Sequence, residues 1–308
     1  MQLLMCKDKP IYNITTQTLI DKELAPGQLS KNPCHEQFKI WSRARYSSQT
    51  NIVARQLQGG LFGQGNRRHI DSITKSLSLS DSYWIKDETD TSVFCDISPY
   101  YVNFWTGLER GSYIGQSVPT LYVDGVLPKY WLDKDTLVKQ APQIEVVCAK
   151  LAKDIGLKVA DVQQYDEQHV LVKRFTSPDI MYEAADTSGL LDVADFTYYD
   201  ILDVFNSTGV DMLVFDAIIG NIDRHTGNFG FLKCAETGRH LTTAPLFDFD
   251  QALSSHEVDI SLIRNVSKFI HETALYVQVN NLIKSILQQE THSEILHRAK
   301  ILQSLLTK

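Results

Sequence analysis

Two runs decide how this chain is read. The first is Gly220-Asn-Ile-Asp-Arg-His-Thr-Gly-Asn-Phe-Gly-Phe-Leu232 and the second is Ala244-Pro-Leu-Phe-Asp-Phe-Asp250. Asp223 and Asn228 stand five apart in a turn-forming segment, and Asp248 closes an apolar run twenty residues after Asn228. Phosphoryl transfer needs a carboxylate at the incoming hydroxyl and oxygen ligands for the metal that bridges the phosphates. Magnesium takes few protein ligands, carboxylate or amide oxygen, and completes its shell with water and phosphate. Asp223 suits the hydroxyl, and Asn228 with Asp248 suits the metal. Turn residues after a helix explain any one of these positions alone. Both motifs in this order, each flanked by apolar runs, point to a metal–phosphate site.

The order of a base Asp, an Asn five residues later and then Asp-Phe-x is that of a kinase catalytic loop and metal loop. Two positions depart from it: Asp250 stands where Gly is usual, and Asn221 stands where a His precedes the base. Such a site also wants a cation on the phosphates and a carboxylate to orient it. Lys139 lies in the apolar strand candidate Asp135-Thr-Leu-Val-Lys139, and Glu145 follows near the start of the next helix, Ile144 to Ala152, which Gly156 ends. A solvated Lys on an edge strand is the plain alternative. Thr120 to Leu127 reads as a hairpin turning at Asp124-Gly125. Gly125 there either lets backbone approach phosphates or simply serves a tight turn. His169 to Phe175 is a further strand. Helices are expected over Phe196–Phe205, Val210–Ile219, Ile260–His271 and Ala274–Gln289, with a β-ribbon from Phe229–Leu232 and Thr242–Phe247.

Working outward, 308 residues with 43% hydrophobic and 22% charged residues suit about two domains with real cores. Five scattered cysteines form no C-x-x-C pair, so neither a zinc knuckle nor a disulfide frame is indicated. The most apolar stretch, Met212 to Gly220, is too short to span a bilayer and carries Asp216. The first 20 residues do not read as a signal peptide, and a soluble, cytoplasmic protein is expected. The net charge of −7 hides an asymmetry: residues 1–75 hold 11 Lys/Arg against 5 Asp/Glu. A basic segment can meet nucleic acid, but no helix-turn-helix pattern supports that, and a solvated face is the plainer reading. Gln58 to Gly65 lacks the Lys-Ser/Thr of a Walker loop. Ile70 to Leu79 reads as a short helix.

With these residues in hand, the chain resembles the HipA-like serine/threonine kinases of bacteria, most closely their stand-alone members. The resemblance rests on Gly220–Leu232 with Pro245–Asp250, and on Gly125–Trp131, Leu137–Lys139 with Glu145, and Val170–Phe175. It is specific over 120–253 and looser over 40–119. It implies that Asp223 is the catalytic base and that Asn228 and Asp248 hold Mg²⁺. It further implies that Lys139 binds the phosphates of ATP, oriented by Glu145, with Gly125 in the glycine-containing loop. The backbone at Lys173 and Phe175 would hydrogen-bond adenine in the hinge, and His225 would approach the nucleotide or else pack beneath the loop. Some members are silenced by phosphorylation of a serine in the glycine-containing loop, and Ser117 and Thr120 are the nearest hydroxyls here.

The expected architecture is α+β, a two-lobed protein-kinase-like (HipA-like) fold. A basic, mostly helical extension over 1–75 precedes a β-rich nucleotide lobe over 76–175 and a helical lobe over 176–308. The expected activity is ATP- and Mg²⁺-dependent transfer to a Ser/Thr hydroxyl of a protein substrate, with a regulatory protein partner as a further expectation. A small-molecule kinase and a nucleotide-binding regulator without turnover stay open as alternatives.

Overall fold

The chain opens on strands. β1 (Gln2–Cys6) and β2 (Lys9–Asn13) pair antiparallel, and β3 (Thr18–Leu19) joins β2. β4 (Tyr83–Asp87) then pairs antiparallel with β1, Gln2 opposite Asp87 and Cys6 opposite Tyr83, giving a sheet in the order β3-β2-β1-β4. The computed structural model describes residues 1–44, 75–101, 129–191, 196–254 and 260–307. The chain divides into two units. One is Met1–Gln140 with Leu171–Leu190 and Gly230–Thr242; the other is Ala141–Val170 with Leu191–Phe229 and Thr243–Lys308.

In the first unit, Leu4, Ile11 and Tyr12 of the sheet pack on Leu29 of α1 (Gly27–Lys31) and on Phe38 and Trp41 of α2 (His35–Ala44). On the other side, Met5 and Trp84 meet Leu77, Leu79, Phe94 of α3 (Phe94–Ile97), and Trp131 and Leu137. The last two come from the antiparallel pair β5 (Lys129–Asp133) and β6 (Thr136–Gln140). The end of β8 (His169–Lys173), Leu171 to Lys173, belongs to this unit as well. A three-stranded sheet in the order β11-β10-β9 completes it, from β9 (Ile180–Ala184), β10 (Gly230–Cys234) and β11 (His240–Thr243). Here Glu183 and Lys233 form a buried ion pair at 3.0 Å, and His240 lies 2.5 Å from the other Glu183 oxygen. Burial alone would raise the Glu183 carboxyl. The His240 hydrogen bond, the Lys233 charge and the Gly27 N–H outweigh it and hold the group below its ordinary range. Lys233 also donates to the carbonyl of Ala25 at 2.7 Å, and the Gly27 N–H donates to Glu183 at 2.9 Å.

The described part of the N-terminal extension begins with strands and continues into α1 and α2, and it shares a unit with residues 76–140. Leu, Met and Gln carry good helix propensity, but β1 pairs both with β2 and with β4 some eighty residues away, and sheet pairing overrides local preference. The short helix expected to end at Leu79 is absent from residues 75–79, because Lys75 and Ser76 sit at φ 50° and 55°, outside any α-helix. Residues 171–190 and 230–242 belong to the first unit together with residues 1–140. The hairpin at Asp124-Gly125, the loop glycine itself, Ser117 and Thr120 lie outside the described residues.

The second unit is mostly helical. α4 (Ile144–Asp154) ends before Gly156, whose φ of 86° is the left-handed stop the sequence asks for. β7 (Val162–Gln164) follows. α5 (Tyr198–Ile219) begins at Thr197, whose hydroxyl and the Asp200 carboxylate form a reciprocal capping box. Asn206 breaks its helical geometry at φ 53° and ψ −140°, so α5 consists of two helical segments meeting at a kink, as the two expected helices require. α6 (Ser261–Thr273), α7 (Tyr276–Gln289) and α8 (Ser293–Leu306) pack around it, α8 touching α5, α6 and α7. From Val210 to Ile219 nearly every α5 side chain is buried, as a helix surrounded by others requires. No helix among the described residues is long and apolar enough to cross a membrane.

Candidate phosphoryl-transfer site

Gly220 ends α5 in the left-handed conformation at φ 64°, and the chain turns directly into the Asn221–Asn228 loop. The loop is braced by its own backbone. The Asp223 carbonyl accepts the His225 N–H at 2.9 Å, and the His225 carbonyl accepts the Asn228 N–H at 2.9 Å. Asn228 is buried, and its amide nitrogen donates to the Asp223 carbonyl at 3.2 Å. An amide held through its nitrogen offers its oxygen as the remaining donor. Asp223, by contrast, is exposed, as a carboxylate meeting an incoming hydroxyl must be.

The loop carrying Asp248 is anchored by backbone pairing. Leu246 forms a parallel bridge with Val159, accepting the Ala160 N–H at 2.9 Å and donating to the Lys158 carbonyl at 2.8 Å. Two residues later Asp248 sits at φ 65°, a conformation uncommon for a side chain other than glycine and one that clusters at functional sites. One carboxylate oxygen each from Glu145, Asp248 and Asp250 lie within 4.8 Å of one another. Three hard anionic oxygens in that space match what magnesium binds, so the residues present fit the ion.

Asp223 and Asn228 are thus brought together in one loop, while Glu145 joins Asp248 rather than standing apart on its helix. Asp250, an apparent departure from the kinase pattern, is the third member of the carboxylate trio. Lys139 is buried on β6. Lys173 ends β8, and its ammonium donates to the Thr136 hydroxyl at 2.7 Å, while the Phe175 ring meets Tyr182 edge-on at 5.9 Å. His225 does not pack beneath the loop: it is exposed, and its Nδ1 accepts the Gly227 N–H at 3.1 Å.

Two residues escaped the sequence reading as parts of the site. Asp216, which figured only as a charge interrupting an apolar run, is buried and paired with Arg224 at 2.8 Å. Asn221 donates to the same carboxylate at 3.0 Å. The available signal was that charge itself, because a carboxylate inside the apolar stretch Met212–Gly220 needs a partner, and Arg224 stands eight residues further along the chain.

The fold is that of the HipA-like proteins. A family model described as the HipA-like C-terminal domain matches residues 120–301, and the chain belongs to that family. Its fold is similar to that of HipA from Shewanella oneidensis MR-1, solved in a complex of HipA, HipB and operator DNA. That match covers 100% of this chain and 96% of the other, at a TM-score of 0.61 and 14% identity. The serine/threonine-protein kinase CtkA of Helicobacter pylori is 35% identical over 85 residues, 28% of this chain and 25% of the kinase. The match therefore spans about a quarter of that relative's length.

Proposed function

We propose that the protein transfers the γ-phosphoryl group of ATP, with Mg²⁺, to a Ser/Thr hydroxyl of a protein substrate. The observation that carries this reading is the trio Glu145, Asp248 and Asp250, within 4.8 Å of one another, in the same unit as the Asp223–Asn228 loop. Asp248, Glu145 and Asp250, with the Asn228 amide oxygen, would hold the ion. An ion held there would supply positive charge to neutralise the phosphates.

The remaining work belongs to the chain's own side chains. Asp223 orients the acceptor hydroxyl and takes its proton as the new O–P bond forms and the bond to ADP breaks. Lys139 carries the positive charge assigned to the phosphates, and the backbone at Lys173 and Phe175 is assigned to adenine. His225, exposed on the same loop as Asp223, is assigned to the nucleotide. Most of the rate enhancement then comes from positioning and electrostatic stabilisation rather than covalent chemistry. The Shewanella HipA is seen with HipB, and a regulatory protein partner of that kind is part of this reading.

The test is incubation of the purified protein with γ-labelled ATP and Mg²⁺, beside Asp248→Ala. Label on the protein or on an added protein acceptor, in the wild type alone, supports the reading. Absence of Mg²⁺-dependent ATP binding by calorimetry overturns it.

A further inference from the structure

Arg224 follows the proposed base Asp223, yet its side chain is only 7% exposed and makes four hydrogen bonds. Nε and Nη2 grip the two oxygens of Asp216 at 2.8 and 3.0 Å. Nη1 donates to the carbonyl of Asn228 at 3.0 Å and to the carbonyl of Phe247 at 2.7 Å. The guanidinium carbon also lies 5.4 Å from the centre of the Phe249 ring. A guanidinium is a rigid planar fork whose donors keep fixed angles to one another.

One end of that fork is tied to α5 through Asp216. The other holds the peptide units adjoining two proposed metal ligands, since the Phe247 carbonyl belongs to the peptide bond leading into Asp248. A buried ion pair alone says little about purpose. Here the donors left over after pairing reach these two carbonyls, which lie on separate loops.

We infer that Arg224 is a positioning residue that sets the spacing of Asn228 and Asp248, and through it the affinity of the site for the divalent ion. The inference rests on the magnesium reading above. Outer partners that orient ligands typically govern 10–100-fold in metal affinity. A lysine at this position keeps the charge but cannot span a carboxylate and two carbonyls with one ammonium.

The experiment is calorimetric titration of ATP into the full chain at a series of Mg²⁺ concentrations, for the wild type and Arg224→Lys, with melting followed by circular dichroism. The expected result is a folded variant whose half-saturating Mg²⁺ concentration rises ~10–100-fold. A folded variant with the wild-type Mg²⁺ dependence overturns the inference while leaving the reading of the site intact. A wild type whose ATP binding ignores Mg²⁺ removes both. Should Arg224→Lys fail to fold, Asn221→Ala takes its place, because Asn221 fixes the carboxylate that anchors Arg224. That variant is expected to shift the Mg²⁺ dependence in the same direction by several-fold, and an unchanged dependence overturns the inference equally.

Discussion

Arg298 of α8 donates to the carbonyl of Ala217 through Nη2 at 3.1 Å and Nε at 3.3 Å, three residues before Gly220 ends α5. The last carbonyls of a helix have no partner within it, and a buried cation at that end also opposes the negative pole of the helix dipole. The helix that launches the Asn221–Asn228 loop is thereby finished by a side chain from the C-terminal helix. Arg298→Met should cost about 1.5–3 kcal/mol, the range for hydrogen bonds involving a charged group. Urea unfolding reads this directly, and an unchanged midpoint would show that the contact contributes nothing.

Asp223→Asn removes the proton acceptor while keeping the side chain's size. Label transfer should fall by ~10²–10⁴, with Mg²⁺-dependent ATP binding retained. Wild-type turnover in this variant would refute the role of Asp223 as base.

Glu145→Gln separates two roles for one residue. If its carboxylate serves the ion beside Asp248 and Asp250, ATP binding should need roughly tenfold more Mg²⁺. If it serves only to orient Lys139, ATP affinity at saturating Mg²⁺ weakens and the Mg²⁺ requirement does not move. Calorimetry at two Mg²⁺ concentrations distinguishes the outcomes, and the first is expected.

Asp90 sets a pH limit in the first unit. Burial pushes its carboxyl up, but hydrogen bonds from Lys75 and Ser92 outweigh it and hold the pKa at about 2, below the ordinary 3.8. A lowered folded-state pKa stabilises the fold above the unfolded value and loses that contribution as pH falls through the folded one. The contribution of Asp90 is therefore complete above pH 3.8 and lost as pH drops toward about 2. Asp90→Asn should cost roughly 1 kcal/mol near neutral pH, allowing for solvent screening. The gap to wild type should close between those two pH values in urea titrations. A gap independent of pH would sink the assignment.

The parts of the site that were legible are those whose chemistry is written in short spacings. Asp223, Asn228 and Asp248 stand in an order that few other demands on a chain produce, and the kinked α5 was visible as two helices on either side of Asn206. The Glu145–Asp248–Asp250 trio was not legible, because Glu145 reaches the other two only through the fold. The same holds for β1 and β4, where the pairing partner lies beyond the reach of any local pattern. Arg224 shows a third kind of failure. Its neighbours in sequence were read as chemistry and Arg224 itself was given no role, although its side chain is buried and bonded to two loops.

The division of the chain has a consequence in time. The first unit closes only when Gly230–Thr242 arrives, since β10 must pair with β9 and Lys233 must reach Glu183 and the Ala25 carbonyl. Ribosomes add ~5–20 residues per second, so Leu4, Ile11 and Trp41 wait many seconds with β9 unpaired along one edge. The residues that finish this core are emitted immediately after Asn228. Any nascent chain whose first unit is complete has therefore already been supplied with the Asn221–Asn228 loop.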